Sequence, residues 1–503
     1  MSELNNKIVK ATKWSAITEF IAKLVTPISS MVLARLLTPD AFGVVATLTM
    51  IITFAEIFTD AGFQKYLIQH EFKDDKDRVD STNVAFWSNF VLSLLIWLLI
   101  GLFCEPLATI VGNPGLGHVL TIACISIPLA AFSSIQMALY KRDFDFKTLF
   151  KVRIVAICIP LFVTIPLAIW LKSYWALVFG TIAGNLANAI LLTYYSKWKP
   201  TFYYSFAKLK EMFSFTMWSM FESISIWLTA YVDVFIIGVY LNEYYLGLYK
   251  TSITIVGQIT ALITSVTTPI LYSALSRLQS DEEEFKKMFF KFQKIVALLV
   301  IPLGVGIFCF SDLITNLLGN QWIEASGFIG IWGLTSSITI VLSHYCSEIY
   351  RAKGLPKLSV LAQILHIIVL WPTVLFSVKY GFEILYISRS IVRFEIIIVN
   401  LIILYYVLNI SSIKMLTNIS VPCFAATIMG ITSYLLLIIN QNFVWQILSI
   451  IISIIVYIII IMCFSNERKI LLLHFCKINT YDKIKKRFTF ISQRRCKKKW
   501  YPW

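Results

Sequence analysis

Charged side chains are scarce: Asp, Glu, Lys and Arg make up 14% of the 503 residues, apolar types reach 58%, and mean hydropathy is +0.76. Soluble domains ordinarily carry about 25% charged residues. That deficit excludes a soluble globule and reads as an all-α polytopic membrane protein. Histidine is limited to five dispersed residues, and the nine cysteines form no CxxC pair and no Cys/His cluster. Neither a zinc site nor a disulfide framework is indicated, and no metal or other cofactor is expected. The sequence contains no Walker A motif, which excludes ATP hydrolysis of the P-loop kind. No small-residue cleavage site follows the polar start Met1–Lys13, so the first apolar span is expected to be a retained signal anchor.

Apolar runs fill the rest. Fourteen spans are expected, at roughly 14–37, 41–66, 82–104, 117–139, 150–171, 174–195, 214–241, 244–270, 293–317, 326–350, 358–378, 383–407, 415–438 and 443–465. With the N-terminus in the cytoplasm, about 36 of the 44 Lys and Arg fall on the cytoplasmic side, as the positive-inside rule requires. Both termini are then expected in the cytoplasm. Outer connections are short, the longest being roughly Glu105–Leu116, so no outer domain is expected. The inner loops Lys141–Lys151, Lys197–Lys210 and Arg277–Lys291 are basic and suit anionic headgroups. The run Asp281-Glu282-Glu283-Glu284 reads as a solvated helix start.

The first two spans are not uniformly apolar. Ser15, Glu19, Lys23, Thr26 and Ser30 form one helical stripe, and Thr49, Thr53, Glu56 and Asp60 form another. A charge in mid-membrane costs on the order of 2.5–3.5 kcal/mol even on insertion scales, so several in one hairpin point to a wet cavity or to ion pairs within a bundle. A shift of about 204 residues lays this hairpin on a second one. Trp14-Ser15 falls on Trp218-Ser219, Leu37 on Leu241, Gly43 on Gly247, Thr47 on Thr251 and Ile51 on Ile255. Six spans separate the copies, so they enter from the same side and their halves are related by an axis along the membrane normal. A substrate site between the halves, near the midplane, is the expectation.

The second copy carries Ser219, Glu222, Ser223, Thr229 and Asp233, then Lys250, Thr254, Gln258 and Ser265. Later spans add His344, Glu348, Arg389, Arg393 and Glu395. For any one of these charges the plainer alternative is pairing, such as Glu19 with Lys23 one turn away or Arg393 with Glu395 through a neighbouring helix. Asp60, Glu348 and Arg35 lie near interfaces and are able to snorkel. His344 reads as a satisfied core residue.

Three segments carry a family resemblance. Ala34-Arg35-Leu36-Leu37-Thr38-Pro39-Asp40-Ala41-Phe42-Gly43 resembles the first-turn signature of bacterial polysaccharide-repeat flippases. Asp60-Ala61-Gly62-Phe63 is similar to their acidic-x-Gly segment, and Arg351-Ala352-Lys353-Gly354-Leu355-Pro356-Lys357 to their inner turn after the tenth span. These proteins are the polysaccharide transporter branch of the MATE-like MOP superfamily, and the similarity covers about residues 10–410. The resemblance implies a MATE-like fold with two six-helix lobes in a V, lined by spans one, two, seven and eight, plus two extra C-terminal helices. The implied cargo is undecaprenyl-pyrophosphate-linked oligosaccharide for O-antigen, capsule or exopolysaccharide, moved by alternating access and not by an enzyme reaction.

On that reading Lys23, Arg35, Lys250, Arg389 and Arg393 would meet the pyrophosphate. Glu19, Glu56, Asp60, Glu222 and Asp233 would steady those cations or bind a coupling proton or sodium ion. Lys23 falls on Trp227 in the repeat, so the lobes differ chemically. The expected division is 1–200 for the N-lobe, 201–410 for the C-lobe, 411–465 for spans thirteen and fourteen, and 466–503 for a basic cytoplasmic tail. The tail suits anionic membrane lipid, with polysaccharide assembly proteins as a second kind of partner; nucleic acid is not expected. Three alternatives remain: a multidrug or cation exporter, which would want a cavity poor in cations; a lipid II flippase; and a membrane polysaccharide polymerase, which would want a large outer loop.

Overall fold

The computed structural model describes residues 18–464 apart from 19, 20, 24, 61, 62 and 144. The basic tail lies outside the described residues. Among the described residues there is no β-strand, and 13 helices are long and apolar enough to cross a membrane. Preceding them is α1, helical over 21–23 and 25–36. The first lobe continues with α2 (Pro39–Asp60), α3 (Asp75–Leu102), α4 (Gly117–Arg142), α5 (Phe146–Leu171) and α6 (Trp175–Tyr195). The second holds α7 (Phe206–Tyr240), α8 (Glu243–Arg277), α9 (Glu282–Cys309), α10 (Asn320–Ala352), α11 (Lys357–Tyr380) and α12 (Phe382–Leu408). The pair α13 (Ser420–Ile439) and α14 (Phe443–Cys463) follows.

Helix is the form these runs must take, because hydrocarbon offers the backbone no partners and a helix satisfies its own. Their starts are written in side chains. Asp74, Asn242 and Asp281 each accept a backbone N–H three residues on, at 2.6, 3.1 and 3.1 Å. Pro39 opens α2, where its missing N–H costs no hydrogen bond. The acidic run at 281–284 does cap and fill the first turn of α9, and Lys286 and Lys287 pair with Glu282 and Glu284.

Several helices outrun their apolar spans. α7 begins at Phe206 and not near 214, because Lys208 reaches Asp77 and supports a turn that no hydrocarbon covers. α8 runs to Arg277 and not to 270, and just beyond it the Gln279 carbonyl accepts from Lys353 at 2.9 Å. In the second span α2 is described as far as Asp60, and Phe63–Gln69 is helical as well. Arg142 holds that piece by donating to the carbonyls of Leu67, Ile68 and His70 at 2.7, 3.3 and 2.7 Å.

Each lobe has its own core. Val44, Leu48, Leu120 and Ile127 anchor the first; Val296, Val300, Ile349 and Leu404 anchor the second. The extra pair completes that second core with Met429, Tyr457 and Ile461. Tyr457 donates its hydroxyl to the Leu298 carbonyl at 2.9 Å, so α14 is seated on α9 by a satisfied polar contact. Large apolar side chains such as Leu95, Leu98, Ile454 and Ile455 face outward, as a surface solvated by acyl chains requires.

Candidate functional site

The two lobes meet most closely at the end opposite the basic loops, where α1 turns into α2 and α7 into α8. There the backbones touch. A Cβ on Gly43 would strike the Glu243 carbonyl, and a Cβ on Gly247 would strike the Pro39 carbonyl. Gly43 and Gly247 are repeat partners, and so are Pro39 and Glu243. The contact is therefore reciprocal, as a pseudo-two-fold axis through the seam demands. Gly112 and Gly238 make another such approach beside it. The second lobe also caps the first helix: Trp322 donates to the Ala34 carbonyl at 2.7 Å, and Gln321 to the carbonyls of Ala34, Arg35 and Leu37. Ala34, Ala46, Met50 and Val111 enter the apolar core of the second lobe here. This end of the interface is shut.

Further from the turns, the polar stripes face one another. Gln258 of α8 donates to the Ser30 hydroxyl of α1 at 3.1 Å. Trp227 of α7 donates to the Thr53 hydroxyl and the Met50 carbonyl of α2, at 3.2 and 3.3 Å. Thr26 and Thr254, on the same stripes, are exposed. Thr49, Thr53, Thr229, Thr254 and Ser265 donate to the carbonyl four residues back, so these hydroxyls are satisfied without water.

The cations gather in the second lobe. Asp233 is buried and accepts from Tyr249 at 2.6 Å and from the Arg389 Nε at 3.1 Å. Arg389 is itself buried, so α7, α8 and α12 are joined by a satisfied ion pair. One turn along α12, Arg393 lies with its guanidinium carbon 4.0 Å from the Trp332 ring centre and donates to Ser336 at 2.5 Å. The same indole lies 5.1 Å from Arg389. Lys250 sits 4.5 Å over the Tyr231 ring, within electrostatic reach of Asp233. Arg389 and Lys250 thus lie within reach of one carboxylate, and aromatic faces meet all three cations.

The sequence expectations land unevenly. Lys250, Arg389, Arg393 and Asp233 come together as described, but Arg389 is a paired core group and not an open cavity cation. Arg393 does not pair with Glu395; that carboxylate points to α11 and binds His366 at 2.8 Å. Two residues apart on α12, the side chains turn to different neighbours, Glu395 to α11 and Arg393 to Trp332 and Ser336 of α10, so no one neighbouring helix joins them. Lys23 and Glu56 are half-buried on α1 and α2, while Arg35 is exposed near the shut seam. Glu19 and the side chains of Asp60 and Glu222 lie outside the described residues. His344 is bonded to Thr268 at 3.3 Å, and Glu348 is buried and pairs with Arg351 at 3.3 Å. Tyr249, Trp332, Tyr231 and His366 were not singled out, because aromatics and a lone histidine in apolar spans look like ordinary core. Among the described residues no group of His, Cys, Asp and Glu has a metal-holding arrangement.

Residues 32–327 match the model of a family described as polysaccharide biosynthesis protein. The chain belongs to this family. As a polysaccharide biosynthesis protein it is 21% identical over 381 residues to an uncharacterized membrane protein in the cps region of Klebsiella pneumoniae, covering 74% of this chain and 77% of that one. It is 23% identical over 337 residues to the succinoglycan biosynthesis transport protein ExoT of Rhizobium meliloti (strain 1021), covering 66% of each. Its fold is similar to that of lipid II flippase MurJ in an inward closed conformation, with a TM-score of 0.73 and 15% identity over 90% of this chain and 98% of that one. That likeness shows the MATE-like fold alone. The matched family region contains the glycine seam and Asp233, Tyr249 and Lys250, whereas Arg389 and Arg393 lie beyond it.

Proposed function

We propose that this polysaccharide biosynthesis protein is a flippase. It carries undecaprenyl-pyrophosphate-linked oligosaccharide from the cytoplasmic to the outer leaflet of the inner membrane, with both termini in the cytoplasm. The observation that carries this reading is the cluster of Lys250 on Tyr231 with Arg389 and Arg393 on Trp332, in the lobe that faces the polar stripes of α1 and α2. A pyrophosphate crossing roughly 30 Å of hydrocarbon needs such charge. Arg393, met by an indole and a hydroxyl, keeps charge to offer, and its planar fork suits phosphate oxygens. Arg389 is the support, fixed by Asp233 against the Trp332 ring that Arg393 also meets. Lys23 and Arg35 would meet the head group from α1.

The shut seam supports alternating access: with the turn end closed, the head group enters from the basic-loop end, and rocking of the lobes about the Lys197–Lys210 connection opens the other side. Glu56 and the carboxylates at 19, 60 and 222 remain proposed sites for a coupling proton or sodium ion.

The test is the sidedness of lipid-linked oligosaccharide in cells lacking the protein, with wild type, Lys23→Ala or Arg393→Ala restored at matched expression. The intermediate is expected to accumulate facing the cytoplasm, and only wild type is expected to clear it. Equal clearance by both variants would remove the assigned cations. Absence of any cytoplasm-facing intermediate would remove the flippase reading itself.

A further inference from the structure

The connection between the lobes carries a feature beyond its place as the hinge. From Tyr194 to Lys210 there is no Asp or Glu, yet Lys197, Lys199, Lys208 and Lys210 all occur there. The stretch leaving α6 is pinned to α3. Asn83 and Thr201 exchange hydrogen bonds at 2.8 and 3.1 Å, Trp87 donates to the Thr201 carbonyl at 2.8 Å, and the Ser88 and Tyr204 hydroxyls lie 3.0 Å apart. With its backbone held, the segment turns its rings outward. Phe202 stacks on Trp87 at 5.1 Å and is still 98% exposed, and Tyr194 is 77% exposed. Aromatic rings beside lysines, at the end of an apolar bundle, belong at a headgroup boundary.

Beneath this segment a groove of about 640 Å³ runs between α4 and α6, closed behind by Phe90 of α3. Leu129, Phe132, Leu186 and Ile190 give it apolar walls, and Lys199 stands at its basic-loop end, its ammonium on the Thr193 carbonyl. From Leu186 to Tyr194 it follows α6 for ~12 Å. An apolar trough with one ammonium at its mouth matches one acyl chain and one phosphate.

We infer that this groove binds one anionic phospholipid of the surrounding bilayer, an acyl chain lying between α4 and α6 and its phosphate on Lys199. A single lysine suits a single phosphate, and the walls offer sugars only the Tyr194 phenol and the Thr193 hydroxyl, the latter already bonded to Gln136 at 3.3 Å. A lipid-linked oligosaccharide therefore has no place here, and the inference does not depend on the flippase reading.

Native mass spectrometry of the full chain, released from detergent with phosphatidylglycerol or phosphatidylethanolamine of identical chains, tests it. Wild type is expected to retain phosphatidylglycerol preferentially. Lys199→Gln is expected to lower that preference about fivefold, the effect of one lysine at an anionic surface. Ala189→Phe, which fills the groove, is expected to reduce retention of both lipids, and Lys379→Gln, outside the groove, to change nothing. Equal retention of the two lipids by wild type would overturn the inference. So would an undiminished preference in Lys199→Gln, which would place the selectivity in the basic tail or elsewhere.

Discussion

Asp233 accepts from Tyr249 and Arg389 through one oxygen, Oδ2, while its other oxygen accepts from the backbone N–H of Val234 at 2.8 Å. Both charges of the pair are buried, so each depends on the other to be tolerated. Removing one partner from a buried pair costs about 3–5 kcal/mol, because the remaining charge stays in low dielectric. Asp233→Asn is therefore expected to lower the thermal unfolding midpoint in detergent sharply, and Asp233→Leu with Arg389→Met to recover much of it. Unchanged melting of Asp233→Asn would show that Arg389 finds other partners. The stripe on α7 marked Asp233 as polar, but its partner lies 156 residues further on, and no helical period reaches that far. Which charges are paired and which are offered is decided by packing between α8, α10 and α12, and the amino-acid order does not display it.

At the scale of the helices, the repeat was more legible than its chemistry. Gly43 and Gly247 stood out as repeat partners, and so did the two hairpins that contain them. Their meaning needed the fold: each glycine lets a helix start approach the backbone of the other lobe, closer than any side chain permits. The obstacle in both cases is a carbonyl, which has no rotamer with which to move aside. Gly43→Ala or Gly247→Ala is thus expected to force the seam apart while leaving each lobe intact. In a background without native cysteines, Ala34→Cys reports this. Ala34 is 1% exposed under Trp322, so a membrane-impermeant thiol reagent applied from the outer side should label it slowly in the parent and several-fold faster with Gly43→Ala. Equal rates would mean that the seam relaxes without opening.

For the whole molecule, the all-α membrane class followed from hydropathy and the polar stripes of α1, α2, α7 and α8 from residue spacing, while their lining of one cleft came with the family resemblance. Helix ends did not, since α7 and α8 are extended by contacts outside the hydrocarbon, such as Lys208 with Asp77. Alternating access makes a demand that these contacts allow to be tested. If the seam must part for cargo to leave, a covalent tie across the lobes in the closed arrangement has to stop transport without unfolding anything. Ser30 and Gln258 suit the tie, because their side chains already touch at 3.1 Å and neither belongs to a core. Ser30→Cys with Gln258→Cys, bridged by a short cleavable bis-thiol reagent, is expected to abolish clearance of cytoplasm-facing lipid-linked oligosaccharide. Reduction should restore it, and either single cysteine should be indifferent to the reagent. Transport that persists with the bridge in place would mean that the lobes do not separate along α1 and α8, and the exit would then have to lie between other helices.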